Sequence, residues 1–469
     1  MNEKILQKIV VLLLLCFCRV YPVTPQSTAM EGFTLQEAMD YAVTNSYKVR
    51  AASIDLQSTI ARRKGYLSLG MPQINANASY QYYFNLPVQL MPNILTPAVD
   101  GALVQHGLIT PDQMMPVSDE KLPVQFGSTN NLTVGVSATQ VVFDGTYLVG
   151  LKAASMLVEL SKASIDKSIR EIKSAVAQAY YLVLIAKENR RILDSTYTKM
   201  NVILDQTRQF QTSGFIEDTD VEQLSLMVSN LKNKMDMTDR NIDLAVDLLQ
   251  LQMGMDIDQE IVLKDDLMTL LNQAISYNIA DKQFDVNDHI DFQLLKNQER
   301  LLNQVIKVDE SAYYPTMALF FNTQSAAMRE KFDFFDDSKW YNTTLVGVNL
   351  SIPIWSSGGR HYKVMQDKYA LEKHRITLKE AEDGLKIDIN NSKSLLKTYS
   401  DQFYTDKKNY DLAVTIYDKT YSKFKEGLAS GMDLNQAYLQ ILSQHGTYLN
   451  TMLQLLNTYA NLSKALSTF

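Results

Sequence analysis

Two carboxylates stand in one repeated setting. Asp220 and Asp433 each follow a glycine, Gly214 or Gly427, and each precede a glutamine, Gln223 or Gln436. The differences 427 − 214, 433 − 220 and 436 − 223 all equal 213, and Leu226 and Leu439 share that offset. A lone carboxylate with no nucleophile or imidazole beside it performs neither acid–base nor covalent chemistry. At a helix start it accepts from free backbone N–H groups and faces the positive end of the dipole. Repeated around a symmetry axis, it holds a ring of negative charge that favours cations. Taken alone, capping is the first reading of both Asp220 and Asp433. Thr219-x-x-Glu222 reads as a capping box and Ser430-x-x-Asp433 as a weaker acidic version, while Gly214 and Gly427 read as helix C-caps.

Other reactive residue types are scattered. His106, His289, His361, His374 and His445 show no metal-ligand spacing, and His445 lies on a heptad seam, where an interface role is the plain reading. Neither Gly-x-Ser-x-Gly nor a phosphate loop occurs, and Gly358-Gly359 reads as a strand-to-helix turn. No enzyme site and no cofactor is expected.

The first residues carry Lys4 and Lys8, an apolar run from Ile9 to Cys18, and the small-x-small site Ser27-x-Ala29, which together predict a secretory signal peptide over 1–29. Cleavage there removes both cysteines, Cys16 and Cys18, unless one becomes a lipid anchor; Leu-Cys-Phe-Cys lacks the small residue that normally precedes a lipidated cysteine. Glu3, Lys4, Lys8 and Arg19 sum to +2, so the mature chain carries −7 − 2 = −9, a balance that excludes a nucleic-acid partner.

The elements that position the two carboxylates are marked by proline. Beyond the leader, prolines fall at 72, 87, 92, 97, 111, 116, 123, 315 and 353, leaving two long gaps where helices can run. Heptad spacing fills the gaps: Ile165, Ile169, Ile172, Val176, Ala179 and Val183; Leu385, Ile389, Ser392, Leu396, Tyr399 and Phe403; Tyr438, Leu442, His445, Leu449, Met452, Leu456 and Tyr459. The proline-marked regions instead alternate with period two. From Gln73 to Phe84, Ile74, Ala76, Ala78, Tyr80, Tyr82 and Phe84 share one face and mostly polar residues the other. Leu132 to Ala138 and Val346 to Ile354 behave alike, and Met317 to Thr323 is less clean. Tyr80, Tyr82, Phe84, Trp340, Tyr341 and Trp355 supply aromatic girdles. Four such strands cannot close a barrel alone, so several chains must share one.

Two structural repeats follow. The first covers 30–253, with strands about 73–84 and 131–142 and helices about 146–212 and 219–253; the second covers 254–469, with strands about 316–324 and 344–355 and helices about 358–426 and 433–467. Each carboxylate then sits at the tip between two long antiparallel helices. Pro72 and Pro315 differ by 243 against 213 for the tips, so the first repeat carries an insertion, Asn85 to Asn130, read as a long exposed loop.

The Phe33-Thr-Leu-Gln-Glu-Ala-Met opening, Tyr66 to Pro72, Val142-Phe143-Asp144-Gly145, Ile352-Pro353-Ile354-Trp355 and both tips together resemble the TolC-type outer-membrane efflux proteins. The resemblance covers nearly the whole mature chain. It implies a mostly α, internally duplicated fold with a small transmembrane β part. It implies a homotrimer whose 12-stranded β-barrel, four strands per chain, lies in outer-membrane lipid and continues into a long periplasmic α-helical coiled-coil barrel. It implies a passive exit duct that works with a periplasmic adaptor and an inner-membrane transporter of RND or ABC type to expel small molecules. An exit duct for protein secretion shares the fold, and the heptads alone would also suit a soluble periplasmic adaptor or scaffold. Carried over by position, Asp433 and Gln436 fall at the entrance constriction, where Gln436 departs from the family's second acidic position. Gly214, Asp220, Phe424 and Gly427 fall in the tip lock and adaptor-docking region, with Asp220 paired to the Phe424 region when closed. The arginine that the family's lock can use is replaced by Ala429.

Overall fold

The computed structural model describes residues 32–92, 95–115, 121–214, 217–276, 279–336 and 339–468. The expected leader, with Cys16 and Cys18, lies outside the described residues. The helices are α1 (Leu35–Asn45), α2 (Tyr47–Ser68), α3 (Leu95–Gln105), α4 (Gly145–Thr212), α5 (Asp218–Met253), α6 (Leu267–Ser276), α7 (Ile290–Ser311), α8 (Gly359–Lys425) and α9 (Gly431–Ala465). The strands are β1 (Gln73–Tyr82), β2 (Val88–Pro92), β3 (Lys121–Gln125), β4 (Asn130–Asp144), β5 (Thr316–Arg329) and β6 (Tyr341–Ser351). At 68 residues, α4 is roughly 100 Å long at 1.5 Å per residue. Two compact units divide the chain, and each draws on both halves of the sequence. One takes Met1–Arg50, Ile169–Gln283 and Asn390–Phe469; the other takes Ala51–Ser168 and Phe284–Ile389.

The second unit holds an antiparallel sheet in the order β1-β4-β5-β6, so β1 and β6 are its open edges. Directly opposed residues share a face, and the register therefore sorts the side chains. Ile74, Ala138, Phe321 and Val346 line up on one face, and Asn75, Ser137 and Asn322 on the other. Every residue of β1 is exposed, and Ile74, Val346 and Val348 are 70%, 77% and 59% exposed. The imperfect alternation in β5 has a cross-strand cause: Phe320, on the polar face, lies over Gly347 of β6, where a Cβ would collide with its ring. Asp144 ends β4 and caps α4, its Oδ1 accepting from the backbone N–H groups of Thr146 and Tyr147 at 2.8 and 3.1 Å.

The region read as a loop is partly folded. β2 pairs antiparallel with β3, α3 lies between them, and the Asp100 carboxylate accepts from the Met115 N–H at 2.8 Å.

The first unit is helical. Its entry is stitched by Thr34, which forms a capping box with Glu37, and by Tyr180, whose single hydroxyl hydrogen is shared between the Phe33 carbonyl at 2.9 Å and the Asp265 carboxylate at 3.0 Å. Asp265 also accepts from the Leu35 N–H at 2.6 Å. This network accounts for the Phe33-Thr-Leu opening. The α4 seam is buried from Ile172 through Val176, Ala179 and Val183, and on α9 Tyr438, Leu449, Met452 and Leu456 are buried.

Candidate functional site

Both carboxylates lie in the helical unit, where α4 turns into α5 and α8 into α9. At the second tip the chain leaves α8 through a Schellman arrangement: the Gly427 N–H donates to the Phe424 carbonyl at 3.0 Å and the Leu428 N–H to the Lys423 carbonyl at 2.8 Å. Gly427 has φ 72° and Gly214, leaving α4, has φ 75°, angles that glycine adopts without the cost a Cβ imposes. Phe215 and Ile216 of the first tip lie outside the described residues.

Entry into the second helix differs between the tips. Ser430 is the N-cap of α9, its Oγ accepting from the Asp433 N–H at 3.2 Å, while Asp433 Oδ2 accepts from the Ser430 N–H and hydroxyl at 2.9 and 2.8 Å. The acidic version is thus a complete capping box. Those hydrogen bonds, the backbone one first, hold the exposed Asp433 carboxyl below its ordinary range. Both donors are uncharged, so the carboxylate keeps its charge. Gln436 is exposed one turn along.

At the first tip the expected Thr219–Glu222 box is absent. Helix α5 starts at Asp218 with Glu217 as its N-cap, so Thr219 lies inside the first turn and its hydroxyl donates to the Glu217 carboxylate at 3.3 Å. Glu217 and Ser430 are the matching caps, since 430 − 217 = 213. Glu217 makes no side-chain capping bond, so the third residue of the turn, Asp220, is not drawn into a box. Asp220 Oδ1 accepts instead from the backbone N–H of Gly431, at 3.1 Å, in the first turn of α9. A Cβ at 431 would overlap that carboxylate, and it would also lie 3.4 Å from Gln223 Oε1, which is buried without a hydrogen-bond partner. The two tips of one chain are therefore joined by a carboxylate seated on a helix N-terminus.

Phe424 is buried beneath this contact with Leu224 and Leu434, both 0% exposed, and Ala429 packs against the same cluster. Higher up, the Tyr417 hydroxyl contacts Met200 Sδ at 2.9 Å and the Tyr421 hydroxyl donates to Gln206 Oε1 at 2.7 Å.

The sequence reading did not anticipate Gly431 or the aromatic stack on α8 and α9. An extra glycine just past the second cap, without a counterpart at the first tip, was the available signal for Gly431. In the stack, Tyr448 lies against Phe403 and Tyr410, with centroids 5.6 and 5.9 Å apart, and His445 faces Tyr410 at 5.7 Å. His445 is 3% exposed, and its Nε2 has no hydrogen-bond partner.

Among the described residues no group of three or more His, Cys, Asp or Glu side chains is placed to hold a metal ion, and no helix is long and apolar enough to cross a membrane.

No curated protein sequence matches the chain. Solved structures share its fold over nearly its whole length. The Campylobacter jejuni CmeC outer membrane channel is 15% identical with a TM-score of 0.66, covering 95% of this chain and 90% of that one. The Neisseria gonorrhoeae MtrE outer membrane channel is 15% identical with a TM-score of 0.66, covering 96% and 98%. The Vibrio cholerae outer membrane protein VceC is 13% identical with a TM-score of 0.61, covering 92% and 94%. Residues 290–468 match the family described as outer membrane efflux protein.

Proposed function

We propose that the chain is one third of a passive outer-membrane exit duct that expels small molecules, fed by a periplasmic adaptor and an inner-membrane transporter. The protein resides in the outer membrane with a large periplasmic helical part. The observation that carries the reading is the sheet. Among the described residues its two edges are unpaired, and none covers the apolar face that runs through Ile74, Val346 and Val348. In water such a sheet is an aggregation hazard. In lipid its edges must be paired, and copies of the same chain are the partners that close it. A soluble scaffold leaves that face unexplained. The duct carries out no reaction; its helices and tips guide and gate.

The purified protein should require detergent and have the mass of a homotrimer, as native mass spectrometry would report. A stable monomer with the same strand content would overturn the shared barrel.

Asp433 gives the entrance its selectivity in this reading. Its carboxylate is exposed, held ionised by Ser430 and set near a tip, so three copies place three charges around one axis. Asp433→Ala should lower the cation preference of the reconstituted channel and relieve its block by multivalent cations. Gln436→Ala, which removes no charge, should change either much less. Unaltered reversal potentials in an intact Asp433→Ala trimer would leave Asp433 as a helix cap alone.

A further inference from the structure

The geometry points to a collar at the mouth of the barrel, in which the folded insertion of each copy packs on the neighbouring copy's connection between β5 and β6. The inference rests on the three-copy barrel proposed above. The insertion joins β1 to β4 and has the ingredients of a packed module rather than a free loop. Its hairpin pairs Val88 with Gln125 and Met91 with Leu122, and Asp100, 8% exposed, is spent on the Met115 N–H. From 95 to 111 Asp100 is the only charged residue, so α3 and the turn after it expose no charge from Asp, Glu, Lys or Arg.

What the module exposes is apolar. Val88, Leu90, Leu108, Met115 and Phe126 are 52%, 65%, 70%, 68% and 47% exposed. An isolated two-stranded hairpin is marginal in water, and Val88 and Leu90 share one exposed face of this one, so the module needs a further surface to pack on. Hydrocarbon is a poor occupant, because the irregular backbone around 83–87 and 106–115 would leave polar groups unsatisfied there. A protein surface is required.

The register says which one. Tyr82 of β1 pairs with Asn130, Asn130 with Arg329, and Ala326 with Tyr341, so the insertion and the β5–β6 connection leave the same end of the sheet. Closing the barrel sets β1 of one copy beside β6 of the next, which puts the insertion next to the neighbour's segment leading into β6. In that connection Phe332 and Phe334 pack on Tyr80 of their own chain, with centroids 5.4 and 5.9 Å away, whereas Phe335 is 89% exposed and Tyr341 58%. The uncovered aromatic residues meet the uncovered aliphatic ones across the seam.

The test uses the whole chain in detergent and two cysteine pairs with a short bismaleimide. Phe84→Cys with Trp340→Cys reports the barrel seam, and Leu90→Cys with Phe335→Cys reports the collar. Both pairs should convert most of the protein to covalent dimers and trimers on a denaturing gel, while the unsubstituted protein stays monomeric there. Cross-linking of the first pair alone in an intact trimer would overturn the collar and leave the duct standing. Monomer in detergent with neither pair cross-linked would overturn both. Labelling of Leu90→Cys by a membrane-embedded maleimide, without cross-linking to Phe335→Cys, would put lipid on the insertion and equally overturn the collar.

Discussion

Oxidising the double variant Asp220→Cys, Gly431→Cys should close the duct, lowering conductance and export by at least about tenfold, with full recovery on reduction. A Cβ at 431 would lie 3.2 Å from Asp220 Cγ. Bridged cysteines have Cβ atoms about 3.5–4.5 Å apart, so a sulfur from 220 starts within bonding reach. Cys16 and Cys18 are the only two cysteines in the sequence and both lie in the expected leader, so in a chain that has lost it no native thiol competes. The bond would replace a contact already present, the Gly431 N–H on Asp220, by one that cannot break thermally. The tips are the expected moving parts, because each turns on a glycine at positive φ, where the backbone can swing at little steric cost. Asp220→Ala, which removes the acceptor, should act in the opposite direction and raise basal conductance. Full conduction by a quantitatively bridged trimer would show that opening does not require the two tips of one chain to part.

Acid should loosen the helical unit through His445. Burial pushes its imidazole down to about 4 from the usual 6.5, Lys234 adds to that, and Glu188 opposes it; Tyr410 covers the ring. The folded state thus binds this proton less readily than the unfolded chain. Its stability contribution is complete above about pH 6.5 and falls as pH drops toward 4, where it levels off. A shift of this size corresponds to an upper bound of about 3 kcal/mol per chain. Between pH 7 and 4.5 the melting temperature of the detergent-solubilised protein should fall by several degrees. The His445→Leu variant should lose much less over the same range, because the titrating group is gone and the site is already apolar. Carboxylates titrate in both proteins, so the difference between the two curves isolates the histidine. Parallel curves would remove His445 from the account.

What the sequence determined by itself is what local pattern encodes. Proline positions and heptad steps predict long helices, and α4, α5, α8 and α9 run for 68, 36, 67 and 35 residues. Period-two alternation predicts strands, and the register places Ile74, Val136 and Val346 on one face, with β1 ending at Tyr82 short of Phe84. The offset of 213 made the two tips comparable, down to the caps Glu217 and Ser430. Tertiary structure decided the contacts between residues far apart in sequence. Asp220 was matched to the Phe424 region, yet its hydrogen bond is to the Gly431 backbone, a donor that every residue except proline carries and no pattern can single out. Phe320 breaks the alternation of β5 only because Gly347 faces it across the ladder. His445 read as an ordinary seam residue until Tyr410 and the neighbouring helices closed over its ring. Periodicity says which face of an element is apolar because successive residues turn by a constant angle. It does not say which element covers that face, since the rotation and register of each helix and strand are set jointly by all the side chains that must pack.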